Sequence, residues 1–168
     1  TITYNVTDIN GNSASEVTRT VNVVNVPPEI TILGANPVTF ECKSTVPYKD
    51  AGATASDNID GDLTENITSN IADLNTEIVG QFIVTYNVND IDGNAATPKT
   101  RTINVVDLIK PGIIVSGSNP VIIEINSVYN DAGATSFDIV SGNLTAGITA
   151  NNVDFDTSIA GTHIITYS

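Results

Sequence analysis

The chain has 168 residues, 40% of them apolar, enough for a packed core in one ordinary domain or two small ones. Its 19 acidic against 6 basic residues give a formal charge of -13, with no clustered Lys and Arg to meet phosphates, which argues against nucleic acid as a partner. A single cysteine, Cys42, and a single histidine, His163, exclude a disulfide framework and a Cys/His zinc site, and no apolar run approaches the roughly 20 residues that cross a bilayer.

Read along the chain, residues alternate with period two, the spacing of strands with one buried face. Residues 1–26 hold two strands around the turn Asp8-Ile9-Asn10-Gly11-Asn12. After Pro27-Pro28, Val38, Phe40 and Cys42 point one way and Thr39, Glu41 and Lys43 the other. Further on, Phe82, Val84, Tyr86 and Val88 share a face opposite Ile83, Thr85, Asn87 and Asn89. Arg101, Ile103 and Val105 alternate with Thr102, Asn104 and Val106. Gly34-Ala35-Asn36-Pro37, the stretch Asn58 to Asp62, and Asp92-Gly93-Asn94 break the runs, and Asp-Gly between two strands signals a hairpin because Gly accepts positive φ. No segment carries a capped helical stripe. About seven short strands in some 80 residues read as an antiparallel β-sandwich.

The pattern repeats. Ile2-Thr3-Tyr4-Asn5-Val6 returns as Val84-Thr85-Tyr86-Asn87-Val88 and again as Ile165-Thr166-Tyr167-Ser168. Thr18-Arg19-Thr20-Val21-Asn22-Val23-Val24 returns as Thr100-Arg101-Thr102-Ile103-Asn104-Val105-Val106. Asp50-Ala51-Gly52-Ala53-Thr54 returns as Asp131-Ala132-Gly133-Ala134-Thr135. The period is about 81 to 83 residues. Residues 1–26 are read as the C-terminal strands of one repeat, 27–107 as a complete repeat, and 108–168 as the N-terminal part of a third. The joints at Pro27-Pro28 and Lys110-Pro111 are short and stiff, which suits an extended rod. We therefore expect an all-β chain of tandem sandwich repeats.

The complete repeat reads Pro28-x-Ile30, then Tyr48-x-Asp50-x-Gly52-Ala53, then Asp57-x-x-Asp60-Gly61-Asp62-Leu63-Thr64. It continues with Gly80-x-Phe82-x-Val84-x-Tyr86 and Asp90-x-x-Gly93-Asn94-x-Ala96-Thr97. This resembles the bacterial and archaeal immunoglobulin-like repeats of cell-surface proteins, in particular the Ig-like family first described in an insecticidal crystal toxin, and it is similar to hyalin repeats. The resemblance implies an immunoglobulin-like sandwich serving as a stalk or spacer. In the third repeat Ser141 and Asn143 stand where Asp60 and Asp62 stood, which removes two acids from that turn.

Two readings stand for the acidic turn Asp57, Asp60 and Asp62. Oxygen-rich turns suit Ca²⁺, which takes six to eight hard oxygens, and Asp90 and Asp92 add ligands if the two loops share one end of the sandwich. The other reading is turn chemistry alone, since Asp, Asn and Gly make tight turns. Catalysis by paired carboxylates needs a pocket that drives their pKa values apart, and a narrow sandwich has little room for one, so no enzyme is expected. His163 replaces Phe82 on its strand face and reads as a packing or rim residue, and Cys42 as a small apolar one. Asn5, Asn66 and Asn143 head glycosylation sequons, a number that so Asn-, Ser- and Thr-rich a chain also reaches by chance. Tyr4, Tyr86 and Tyr167 share one repeat position, either as corner tyrosines or as a platform for sugars.

The expected partners are neighbouring repeats of the same chain or other copies of the protein, since incomplete sandwiches leave strand edges open. A tandem array and a head-to-tail polymer both satisfy that expectation. The expected role is a non-catalytic structural module outside the cell, in a stalk, surface-layer lattice or filament. The competing reading is a glycan- or protein-binding adhesin module, or an accessory domain of a secreted enzyme.

Overall fold

A computed structural model describes every residue from Thr1 to Ser168. It contains strands and three single turns of 3-10 helix, and no helix long and apolar enough to cross a membrane. Strands β1 (Ile2–Tyr4) and β2 (Val17–Arg19) form an antiparallel hairpin, with Tyr4 opposite Val17. Residues 27–107 carry seven strands, as the alternation predicts. These are β3 (Glu29–Ile32), β4 (Val38–Glu41), β5 (Ala53–Asp57), β6 (Gly61–Asp62), β7 (Thr68–Ser69), β8 (Gly80–Asn87) and β9 (Lys99–Val106). They make a three-stranded sheet, β3-β5-β6, and a four-stranded sheet, β4-β9-β8-β7.

The later stretch repeats this local structure. Strands β10 (Gly112–Val115), β11 (Ala134–Asp138) and β12 (Gly142–Asn143) form a sheet in the order of β3-β5-β6. The registers correspond: Ile30 faces Ala55 across the first pair, and Ile113 faces Ser136 across its counterpart. Strands β13 (Ala150–Asn151) and β14 (Thr166–Tyr167) pair as β7 and β8 do.

The chain divides into two compact units. One comprises Thr1–Gly34, Ala51–Ser69 and Thr85–Thr100. Its buried apolar residues are Ile30, Ala53, Ala55, Leu63, Tyr86, Val88 and Ala96, the inward positions of β3, β5, β8 and the turns beside them. The other comprises Ala35–Asp50, Asn70–Val84 and Arg101–Ser168, and buries Cys42, Val84, Ile103 and Val105. In β9 the alternation is complete: Arg101, Ile103 and Val105 are buried and Thr102, Asn104 and Val106 half-buried. Cys42 behaves as the small apolar residue its place in the alternation predicts, with no exposure.

One expectation needs correction. The sandwich is not wholly antiparallel, because β4 pairs with β9 in parallel, from Val38 opposite Ile103 to Glu41 opposite Val106. Hairpins force antiparallel neighbours, but β4 and β9 lie far apart in the chain and no tight turn joins them. The chain changes sheets between β3 and β4 at Gly34-Ala35-Asn36-Pro37. There Gly34 sits at φ +74 with Ala51 Cβ only 3.1 Å from where a side chain would begin.

Candidate functional site

Two acidic turns meet. Asp57 closes β5, and its Oδ1 accepts the backbone N–H groups of Ile59 (2.7 Å) and Asp60 (2.9 Å). Asp60 Oδ2 in turn accepts the N–H of Ile91 (2.9 Å), which ties this turn to the one that leaves β8. In that second turn Asp90, 6% exposed, accepts the N–H of Asn94 (2.7 Å) through Oδ1 and its side-chain amide (2.7 Å) through Oδ2. The carboxyl of Asp90 is held below the usual carboxylate range, first by the Asn94 side chain, against an opposing push from burial. Asp8 and Asn12 build the same turn beyond β1, with bonds of 2.8 and 2.9 Å. The Asp-x-x-x-Asn sequence therefore makes this turn by itself, whatever surrounds it.

Asn25, in the joint before β3, donates its side-chain amide to Asp90 Oδ2 (3.1 Å) and to Asp92 Oδ2 (3.0 Å). Its own Oδ1, like Asp57 Oδ2, is buried with no hydrogen-bond partner. Asp57 and Asp60 thus form one set of hydrogen bonds and Asn25, Asp90 and Asp92 another, and the two adjoin where Ile91 follows Asp90 in the chain. Asp62 stays outside both sets. Its Oδ1 accepts the N–H of Thr64 (2.9 Å), and this engagement with Thr64 lowers its pKa. No group of three or more Asp, Glu, His or Cys side chains is arranged to hold a metal ion. Both sets are knitted by amides and backbone N–H groups, which use carboxylate oxygens a cation would need.

The corresponding turn after β11 keeps the first acid alone. Asp138, 3% exposed, accepts the N–H groups of Val140 (2.8 Å) and Ser141 (2.7 Å), and these bonds, Ser141 first, lower its pKa. Lys43, just beyond β4, donates to the carbonyl of Ile139 (2.9 Å) and adds its positive charge beside Asp138.

The alternation marked Arg101 as inward without revealing its partner. It is 1% exposed, and its Nη1 forms an ion pair with Asp50 Oδ1, which also accepts the Tyr48 hydroxyl (3.4 Å). The signal was available in the repeats, since Arg19 and Asp131 recur at the matching positions. Asp131 accepts hydroxyls from Tyr129 (3.0 Å) and Tyr167 (2.6 Å). The bond to Asp131 pushes the Tyr167 phenol up to about 12, with desolvation adding to it. Tyr86, the corresponding residue of the complete repeat, is buried at 2% exposure. His163 lies at the rim, stacked on Phe155 at 4.4 Å. The sequon residues Asn5, Asn66 and Asn143 are all exposed, and Asn143 accepts the N–H of Thr145 (2.9 Å).

Residues 30–105 match the family described as "Bacterial surface protein, Ig-like domain", and the resemblance read from the motifs holds over that segment. Hyalin of Strongylocentrotus purpuratus is 35% identical over 129 residues, which are 70% of this chain and 10% of hyalin. The pesticidal crystal protein Cry22Aa of Bacillus thuringiensis is 30% identical over 151 residues, 87% of this chain and 19% of that protein. The chain thus spans a small fraction of the length of both relatives. Among solved structures, the lipoprotein BT2262 of Bacteroides thetaiotaomicron aligns over 55% of this chain and 46% of its own, at 23% identity and a TM-score of 0.39. A structure of CBM51-2 with GlcNAc and INT domains from Clostridium perfringens ZmpB aligns over 55% of this chain and 21% of its own, at 25% identity and a TM-score of 0.37.

Proposed function

From the match of residues 30–105 to bacterial surface Ig-like domains, we propose that this chain is a non-catalytic structural part of a cell-surface protein, in which tandem repeats supply reach and stiffness. The repeats divide at 1–26, 27–107 and 108–168. The observation that supports this most is that side chains are spent on the joints. Asn25 fastens the first joint to Asp90 and Asp92, and Lys43 of the complete repeat fastens the turn at Ile139 of the next. A binding module has no need to fix its joints; a stalk, lattice or filament does. Pulling the parent protein by its ends in a force microscope tests this. Equal unfolding steps are expected, each releasing about 80 residues, or roughly 280 Å of extended chain. Irregular steps, together with strong hits on a glycan array, would favour the adhesin reading instead.

Calcium belongs to the same proposal. Asp57, Asp60, Asp90 and Asp92 would supply carboxylate oxygens, and Asn25 its carbonyl once the amide turns around. The ion would replace the present bonds between the Asn25 amide and Asp90 and Asp92 and cancel like charge beside the joint. Isothermal titration with Ca²⁺ tests this: heat of binding and a raised melting temperature are expected, and neither should survive Asp90→Asn. A flat titration with an unmoved melting curve removes calcium and leaves the structural role in place.

A further inference from the structure

Asn10 and Asp92 occupy one place in two copies of the same turn. Asp8-Ile9-Asn10-Gly11-Asn12 and Asp90-Ile91-Asp92-Gly93-Asn94 differ only there. Both turns close alike. The Asp8 N–H donates to Asn12 O (2.9 Å) and the Asp90 N–H to Asn94 O (3.0 Å). Gly11 and Gly93 donate to Asp8 O and Asp90 O, each at 3.1 Å, with φ of +86 and +89. Behind the tips stand the bridges Thr7–Ser13 and Asn89–Ala95. Asp92 and Gly93 are exposed in the complete repeat, as Asn10 and Gly11 are, so the open tip belongs to the turn itself. An aspartate at this place is therefore compatible with the turn.

Asn10 is the one asparagine of the chain followed by glycine. Elsewhere the next residue carries a side chain, as at Asn66-Ile67 and Asn104-Val105, or lacks an N–H, as at Asn36-Pro37 and Asn119-Pro120. A side chain shields the backbone nitrogen and narrows the conformations from which it can reach the amide before it. At Gly11 no atom lies within 4 Å of where a Cβ would stand.

We propose that Asn10 is a deamidation site. The Gly11 nitrogen, on losing its proton, attacks Asn10 Cγ. The N–Cγ bond forms, the Cγ–Nδ2 bond breaks, and the proton leaves with the amide as ammonia. Water then opens the five-membered imide. Opening at Cγ gives aspartate at position 10; opening at the backbone carbonyl gives an isoaspartyl link, with one extra methylene in the main chain. No oxidant or reductant enters, and water is the sole co-reactant. The bond from the Gly11 N–H to Asp8 O must open first, which at an exposed tip breaks no strand. The aspartate product has the sequence of the complete repeat's turn, so the fold accepts it. It also gives the first turn the carboxylate with which Asp92 accepts the Asn25 amide (3.0 Å). An acid that the complete repeat encodes is acquired with age in the turn before it.

The experiment holds the folded 168-residue chain in mildly alkaline buffer and follows its tryptic peptide Thr1–Arg19 by mass spectrometry. A gain of about 1 Da located at Asn10, faster at higher pH and matched by free ammonia, is expected. The gained mass should divide between two peptides, one of which elutes with the peptide of the variant Asn10→Asp. That variant should gain no mass at position 10 and should melt where the unmodified chain melts. In urea, where the turn plays no part, Gly11→Ala should slow the loss roughly tenfold or more. An Asn10 amide that survives in the folded chain while the urea-unfolded chain loses it overturns the proposal, as does a gain located at other asparagines first. A melting temperature of Asn10→Asp well below that of the unmodified chain overturns the statement that the fold accepts the product. All of these outcomes leave the equal unfolding steps of the parent protein untouched, so the structural role is tested separately.

Discussion

Among single residues, Arg101 carries the sharpest consequence. A guanidinium at 1% exposure is costly to bury, and Asp50 meets its charge. Removing one partner strands the other, so Arg101→Ala should lower the unfolding free energy by about 3–5 kcal/mol in urea titrations. Asp138 gives a pH prediction. Its pKa is lowered in the folded chain, so its stabilisation is full above the ordinary value of 3.8 and is lost as pH falls through the lower folded value. Asp138→Asn should lower the melting temperature most at neutral pH and little in acid, so that the decline below pH 3.8 becomes flatter. Tyr167 runs the opposite way. Its raised pKa favours the neutral phenol, whose contribution is full below 10 and lost as pH rises through about 12. Tyr167→Phe should therefore remove a late step from the absorbance titration of phenolate. Residue by residue, the sequence revealed which side chains face inward, as Cys42 and Ile103 show. It did not reveal Asn25, because its repeat counterpart is Asp107 and no shared motif marks a joint amide that bridges two aspartates.

Within elements, alternation decides the face of a strand and is silent about its neighbour. Strands β8 and β9 were legible because eight residues of period two leave no other reading. The two-residue strands β6 and β7 are too short to show a period, and the parallel β4–β9 pair cannot be told from an antiparallel one by alternation. Two positions on neighbouring strands separate burial from propensity. Ile103 has no exposure and Ile83 is 49% exposed. Ile103→Ala should cost about 2–5 kcal/mol, and Ile83→Ala a small part of that, as read from denaturant midpoints. Gly34 tests the passage between sheets. Ala there meets a positive φ and the Cβ of Ala51 at 3.1 Å, so Gly34→Ala should cost at least about 1–2 kcal/mol by the same measurement.

For the whole molecule, self-similarity made the repeats visible, while the two compact units interleave stretches of chain and leave no mark in composition. The charge of -13 bears directly on stability. Like charges gathered in a folded chain repel one another and weaken the compact state. The Debye length is about 10 Å at 0.1 M salt and shrinks as salt is added, so that repulsion fades. The melting temperature should therefore rise between about 0.05 and 0.5 M NaCl, as followed by circular dichroism. A melting temperature that falls with salt would mean that attractive ion pairs outweigh the repulsion.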